Sequence, residues 1–178
     1  MLVEVLSLRG REGRPVTKGK TGMIDTTELV KEIQEMREDG FLSDALVRFA
    51  ARTLKEGDER FDWVGAYLFK EKDTELWLHN YVGPRTEVAK IKLGEGVAGV
   101  AAAEKENRYV PHVDEMSDYE APGPNTASEL AVVIRAGEDL FGVLDLASME
   151  PEAFTPEDEK AISQVADKLA EQFMAERR

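Results

Sequence analysis

Residues 129–147 read ELAVVIRAGEDLFGVLDLA, and this stretch decides the fold. Two apolar runs, 129–135 and 140–147, flank Ala136-Gly137-Glu138-Asp139, four residues of turn-forming composition. Apolar runs of that length on either side of such a turn predict a β-hairpin. Both runs are almost continuously apolar, as strands are when both faces of their sheet are covered. Glu129 starts the first strand and Asp145 interrupts the second. An unpaired carboxylate is costly to bury, so each must reach water, a partner or a ligand. Both are therefore candidate ligand-binding residues, with capping of nearby loop amides as the plainer alternative.

The stretch just upstream, residues 114–128 (DEMSDYEAPGPNTAS), holds two prolines, a glycine and several polar residues and reads as a long loop. Loops of that length in small domains often carry function. Tyr119 lies within it as a candidate lid, the alternative being an ordinary surface tyrosine. Further back come a short strand at 108–113 and a small-residue helix at 97–104. An alternating strand at 88–93 precedes them and ends in Gly94-Glu95-Gly96. WVGAYLF (63–69) and LWLHNYV (76–82) predict a second hairpin. Its Trp63 and Tyr67 are candidate pocket aromatics, although large aromatics more often fill a core.

Helices bracket the strands. Asp25 with Glu28 fits a capping box opening a first helix, with Leu29, Val30, Ile33 and Met36 on one face. Gly40 stops it, and Ser43 caps a second helix along Leu42, Ala45, Leu46, Phe49, Ala50 and Leu54. At the far end Thr155 caps a last helix, with Pro156 at its first position and Asp158 at its third. Ile162, Val165, Leu169 and Phe173 lie on that helix's apolar stripe. Strands joined by hairpins, with helices at both ends, predict an α+β domain. Its core is an antiparallel sheet of five or six strands, with the N- and C-terminal helices packed on one face.

Length and composition bound the function. The chain has 178 residues, about one domain. It carries 36 acidic and 23 basic residues, a net charge of −13, which disfavours nucleic acid and anionic membranes as partners. It has no cysteine, which removes disulfides, thiolate nucleophiles and sulfur-ligated metals together. The two histidines, His79 and His112, make a metal site or a serine–histidine triad improbable, so no metal, cofactor or catalytic residue is expected. No apolar run approaches a membrane span, and residues 1–14 reverse the order of a signal peptide, so a cytoplasmic location is expected. Residues 1–22 differ from the rest, with five basic residues against two acidic ones. They read as an N-terminal extension, a strand, hairpin or flexible leader with residues 2–8 as the strand, before a single domain at 23–178.

Several segments resemble the GAF domain family, which is related to PAS domains, and within it the free methionine-R-sulfoxide reductases. They are Asp62–Leu68 (DWVGAYL), Ile91–Gly99 (IKLGEGVAG), Ala127–Val133 (ASELAVV), Gly142–Ser148 (GVLDLAS) and Phe154–Glu159 (FTPEDE). Matching order and spacing run over about residues 25–175. The resemblance implies a ligand pocket with thiol chemistry, and places the reductases' cysteines at Val88, Ala98 and Pro122. None of these is a nucleophile, so thiol-based reduction is closed to this chain. The family's substrate carboxylates fall at Glu129, Asp145 and Ala147, so two of three acids remain. Trp63 and Tyr67 match its first-strand aromatics.

Together these readings predict a stand-alone GAF domain binding a small molecule through Trp63, Tyr67, Tyr119, Glu129 and Asp145. It is expected to pass any signal to a separate partner and to pair as a homodimer through its terminal helices. Two alternatives stay open: a divergent enzyme using Glu129 and Asp145 as acid and base, and a dimeric scaffold whose pocket is filled by Trp63 and Tyr67. A phosphate-loop reading of Gly94–Gly99 is weak, since the segment lacks the Walker lysine and carries Glu95.

Overall fold

The computed structural model describes residues 17–18, 24–70, 74–117 and 119–177. The strand expected at residues 2–8 lies outside them. The chain begins with a two-stranded ribbon, β1 (Thr17–Lys18) against β2 (Ile24–Asp25), and continues into α1 (Thr27–Glu38) and α2 (Ser43–Gly57). Next come β3 (Trp63–Phe69), β4 (Glu75–Val82), β5 (Lys90–Lys92), α3 (Gly96–Glu104) and β6 (Arg108–Val110). A single 3-10 turn at Val113–Glu115 leads to the long loop, then β7 (Ser128–Ala136), β8 (Asp139–Ser148) and α4 (Pro156–Glu176).

Six strands form one antiparallel sheet in the order β5-β4-β3-β8-β7-β6. Both predicted hairpins are present, β3–β4 and β7–β8. The side-chain period of two divides each central strand between two cores. Leu130, Val132 and Ile134 of β7, with Leu144 and Leu146 of β8, point to the face covered by α1, α2 and α4. Ala131, Val133, Val143 and Ala147 point the other way, toward α3 and the long loop. The terminal helices thus share one face, as the sequence predicts, while α3 occupies the opposite one.

The last helix starts as its sequence dictates. Thr155 accepts from the Asp158 N–H, Asp158 accepts from the Thr155 N–H, and Pro156 stands at the first turn. Its stripe is spent on the sheet: Ile162, Val165 and Leu169 are fully buried, and Phe173 stacks on Phe141. The first two helices start differently from expectation. Asp25 is paired within the ribbon, its carboxylate is bound by Thr27, and no capping box with Glu28 forms. Ser43 is the first residue of α2 rather than its cap, because its N–H and hydroxyl both donate to Glu176 at the end of α4. Leu42, placed on the apolar face of α2 by its spacing, is 64% exposed. Val47 and Ala51 are buried in its place.

A buried ion cluster ties these layers together. Arg60 donates to both Asp58 and Asp158, whose side chains are fully buried, and Asp158 also accepts from the Ile24 N–H. Burial by itself would raise the Asp158 carboxyl. The Arg60 guanidinium and the Thr155 and Ile24 amides outweigh burial and hold it below the ordinary carboxylate range.

Candidate functional site

Glu129 and Asp145 sit on neighbouring central strands, on the face that carries α3. In the β7–β8 register Glu129 opposes Ala147 and Ala131 opposes Asp145. The two acids are therefore diagonal neighbours on one side of the sheet, within reach of each other. They are 2% and 1% exposed, and their carboxyl groups hydrogen-bond to each other. Such a bond requires a proton. Burial first, then the adjacent Asp145 charge, raises Glu129 well above the usual carboxyl range. Burial likewise pushes Asp145 up, to about 7. Both carboxyls are thus raised, and burial so close together disfavours two charges on the pair. Asp145 Oδ1 has no hydrogen-bond partner among the described residues.

Two phenols flank the pair. The Tyr119 hydroxyl donates to Glu129 Oε2 from the long loop. The Tyr67 hydroxyl, from β3, donates to the carbonyl oxygen of Val88 at 3.0 Å. Burial, then the charges of Asp145 and Glu129, holds Tyr67 far above the ordinary phenol range. Burial and the Glu129 charge do the same for Tyr119, so both remain neutral donors.

Above the acids lies a cavity of about 490 Å3, with Tyr67, Glu129 and Asp145 as its floor. Ile91 of β5 and Gly96, Val97 and Ala98 at the start of α3 form one wall, with Val88 just before β5. Ser117, Glu120 and Pro122 of the long loop form the other. Val88, Ala98 and Pro122, where the family resemblance places cysteines, thus converge on this one cavity.

The predicted site residues divide. Tyr67, Glu129 and Asp145 line the cavity, and Tyr119 reaches it through Glu129. Trp63 stays outside it: the ring is 1% exposed, stacks on Tyr81 at 5.6 Å between centroids, and passes across Gly65. Ala147, where the family's third acid falls, is buried beside Glu129 in the ladder. Sequence reasoning missed Glu95 and Glu120 in the lining, because neither interrupts an apolar run. Among the described residues no cluster of three or more histidine, aspartate or glutamate side chains is arranged to hold a metal ion. No helix among them is long and apolar enough to cross a membrane.

A six-stranded antiparallel sheet, helices on one face, and a cavity between the other face and a short helix with its loop define a class of α+β domain. The chain belongs to the GAF domain family, whose match covers residues 43–171. It is 30% identical to Protein YtsP of Bacillus subtilis over 141 residues, 79% of this chain and 86% of that protein. It is 29% identical to free methionine-R-sulfoxide reductase of Escherichia coli over 108 residues, 61% of this chain and 64% of that protein. Among solved structures, the free methionine-R-sulfoxide reductase of Neisseria meningitidis in complex with its substrate superposes with a TM-score of 0.76. That pair is 30% identical, and the match covers 84% of this chain and 89% of the other. The chain is thus a GAF domain related to these reductases and without their cysteines.

Proposed function

We propose that this protein is a small-molecule-binding GAF module that holds its ligand between the sheet and the long loop and performs no thiol-dependent reduction. The observation that carries this reading is the pair of buried acids, Glu129 and Asp145, lining one 490 Å3 cavity. Buried carboxyl groups cost free energy unless partners or a ligand satisfy them. A cavity of this volume falls in the range of small-molecule sites. The reductase relatives support a ligand in the corresponding place. The missing cysteines remove the nucleophile and the resolving thiol, leaving binding without that chemistry. The scaffold alternative needs a pocket filled by Trp63 and Tyr67, whereas Trp63 packs outside the cavity and Tyr67 borders it.

The test is a thermal-shift titration with free amino acids, both methionine sulfoxide epimers and cyclic nucleotides, using Asp145→Asn as control. A ligand at a hundred times its Kd adds about 2.7 kcal/mol to the folded state. A shift present in the wild type and lost in Asp145→Asn supports the reading; no shift with any compound removes it.

We also propose a homodimer through the terminal helices. Since α4 spends its stripe on the sheet, support comes from the α1–α2 junction, where exposed Leu42 follows half-buried Phe41. Sedimentation velocity of Leu42→Glu against the wild type tests it. Two identical monomer sedimentation coefficients would remove this contact.

A further inference from the structure

β7 is longer than the strand that covers its outer side. It pairs with β8 along its length, from Ser128 against Ser148 to Ala136 against Asp139. On the other side β6 covers only residues 129–131. The backbone groups of an antiparallel strand alternate between its two neighbours. The Val133 N–H donates to the Asn107 side chain at 3.0 Å, on the β6 side. The Val133 carbonyl and the Arg135 N–H and carbonyl therefore point to that side too, where no strand of the described residues lies. They open onto a groove of about 390 Å3 between residues 105–107 and α4. Asn107 builds one end of it. Its side chain stands in for a strand at Val133 and donates to Glu159 and Ser163 of α4, each at 3.0 Å. The groove shares no lining residue with the cavity.

We propose that this groove docks a short, extended, basic segment of a partner chain, which continues the line of β6 and pairs with residues 132–136 of β7. Residue 135 supplies one full pair of backbone hydrogen bonds and the Val133 carbonyl accepts a third. At about 3.3 Å per residue the open edge extends about 13 Å, room for about four residues of the segment. Its charge follows from the lining. Glu106, Glu159 and Asp167 stand there against Lys105 and Arg135. Both cations are drawn to the β7–β8 turn. The Lys105 ammonium donates to the Glu138 carbonyl at 3.0 Å, and the Arg135 guanidinium to the Gly137 carbonyl at 3.0 Å. That leaves the three acids for the occupant, in a chain of net charge −13. Successive side chains of a strand point to opposite faces. The segment's residues that pair with β7 share the face of Arg135, and those between them meet α4, where lysine or arginine reaches Glu159 and Asp167. A second copy paired edge to edge would instead set these acids against the same acids, since such a contact is self-complementary.

The experiment titrates the full chain with three peptides at about 0.15 M salt and follows amide hydrogen exchange by heteronuclear NMR. The probe is acetyl-Lys-Val-Lys-Val-Lys-amide. One control has glutamate for lysine, and the other keeps the lysines but carries methyl groups on both valine nitrogens, which removes the donors that face β7. The probe should bind and slow exchange of the Arg135 amide at least tenfold at saturation. Both controls should bind at least tenfold more weakly. Arg135→Pro removes the docking N–H on the open edge, where proline takes no bond from the β7–β8 ladder. It should weaken the probe at least tenfold relative to Arg135→Ala, which accounts for the lost charge. If Arg135→Pro does not fold, the wild-type exchange decides. No binding of the probe overturns the proposal. So does equal binding of the methylated peptide, which would mean attraction by charge alone. Protection of the Arg135 amide before any peptide is added also overturns it, assigning the groove to residues 1–22 of this chain. Protection that grows with protein concentration would assign it to a second copy, with the same consequence.

Discussion

The Tyr119 hydroxyl donates to Glu129, joining the long loop to the floor of the cavity through one buried polar contact. Tyr119→Phe keeps the ring and removes the donor, leaving a buried carboxyl oxygen short of a partner. Such a loss costs about 1–3 kcal/mol. Tyr119→Phe should lower the urea midpoint accordingly and speed proteolytic cleavage in the loop under native conditions. A variant with the wild-type midpoint and cleavage rate would show that this bond does not hold the loop.

The acid pair sets a pH dependence of definite sign. Glu129 and Asp145 are raised in the folded state, Asp145 from 3.8 to about 7. Between those values the folded chain binds more protons than the unfolded one, so these groups favour folding at low pH and that contribution is lost as pH rises. The slope is up to about 1.4 kcal/mol per pH unit for each group. Asp145→Asn removes one titration. Its stability relative to the wild type should therefore improve between pH 4.5 and 7.5 in urea melts. A pH-independent difference would show that Asp145 titrates alike in the two states.

Much of the sheet was legible because its apolar runs are so plainly bounded by turn residues. The strand period of two then sets Glu129 and Asp145 on the face opposite Leu130 and Leu144. The α4 start was legible for a similar reason: Thr155, Pro156 and Asp158 carry the whole cap among themselves. The starts of α1 and α2 were not. Asp25 is held in a ribbon with Thr17, and Ser43 is claimed by Glu176, 133 residues away. Local sequence contains neither partner.

At the site, the acids announced themselves by interrupting apolar strands, and the family resemblance pointed to positions 88, 98 and 122. Trp63 is placed differently from Tyr67. It shares a strand with Tyr67, but its ring leans along the sheet over Gly65 toward Tyr81 instead of facing the cavity. The Arg60 cluster left no trace in a chain where a third of the residues are charged. An arginine flanked by acids looks there like any solvated turn.

Gly65 is where Trp63 makes its demand on the backbone. A Cβ at position 65 would stand 2.2 Å from Cη2 of the indole, inside any tolerable contact. The ring is fully buried against Tyr81 and Tyr67 and has little room to withdraw. Overpacking a tight core costs about 1–3 kcal/mol. Gly65→Ala should lose that much stability and change the tryptophan emission, while Gly40→Ala, with open space around it, should leave the emission unchanged. Wild-type stability and emission in Gly65→Ala would mean that Trp63 is loosely held.

Arg60→Met separates pairing from packing, because methionine preserves much of the aliphatic stem. It leaves Asp58 and Asp158 buried without their guanidinium, and a broken buried pair costs about 3–5 kcal/mol. The pH dependence identifies the cause. In the wild type Asp158 lies below its ordinary range, so its contribution is present at neutral pH and is lost as pH falls through the folded value. Without Arg60, burial is opposed only by the Thr155 and Ile24 hydrogen bonds, so the Asp158 carboxyl rises from its wild-type position and less of that contribution remains at neutral pH. The deficit of Arg60→Met should therefore be larger at pH 7 than at pH 4. An equal deficit at both would assign the loss to packing, and Asp158→Asn combined with Arg60→Met should then recover nothing. If charge is the cause, the double variant recovers part of the stability at pH 7, since the asparagine is neutral there and carries no ionic desolvation cost.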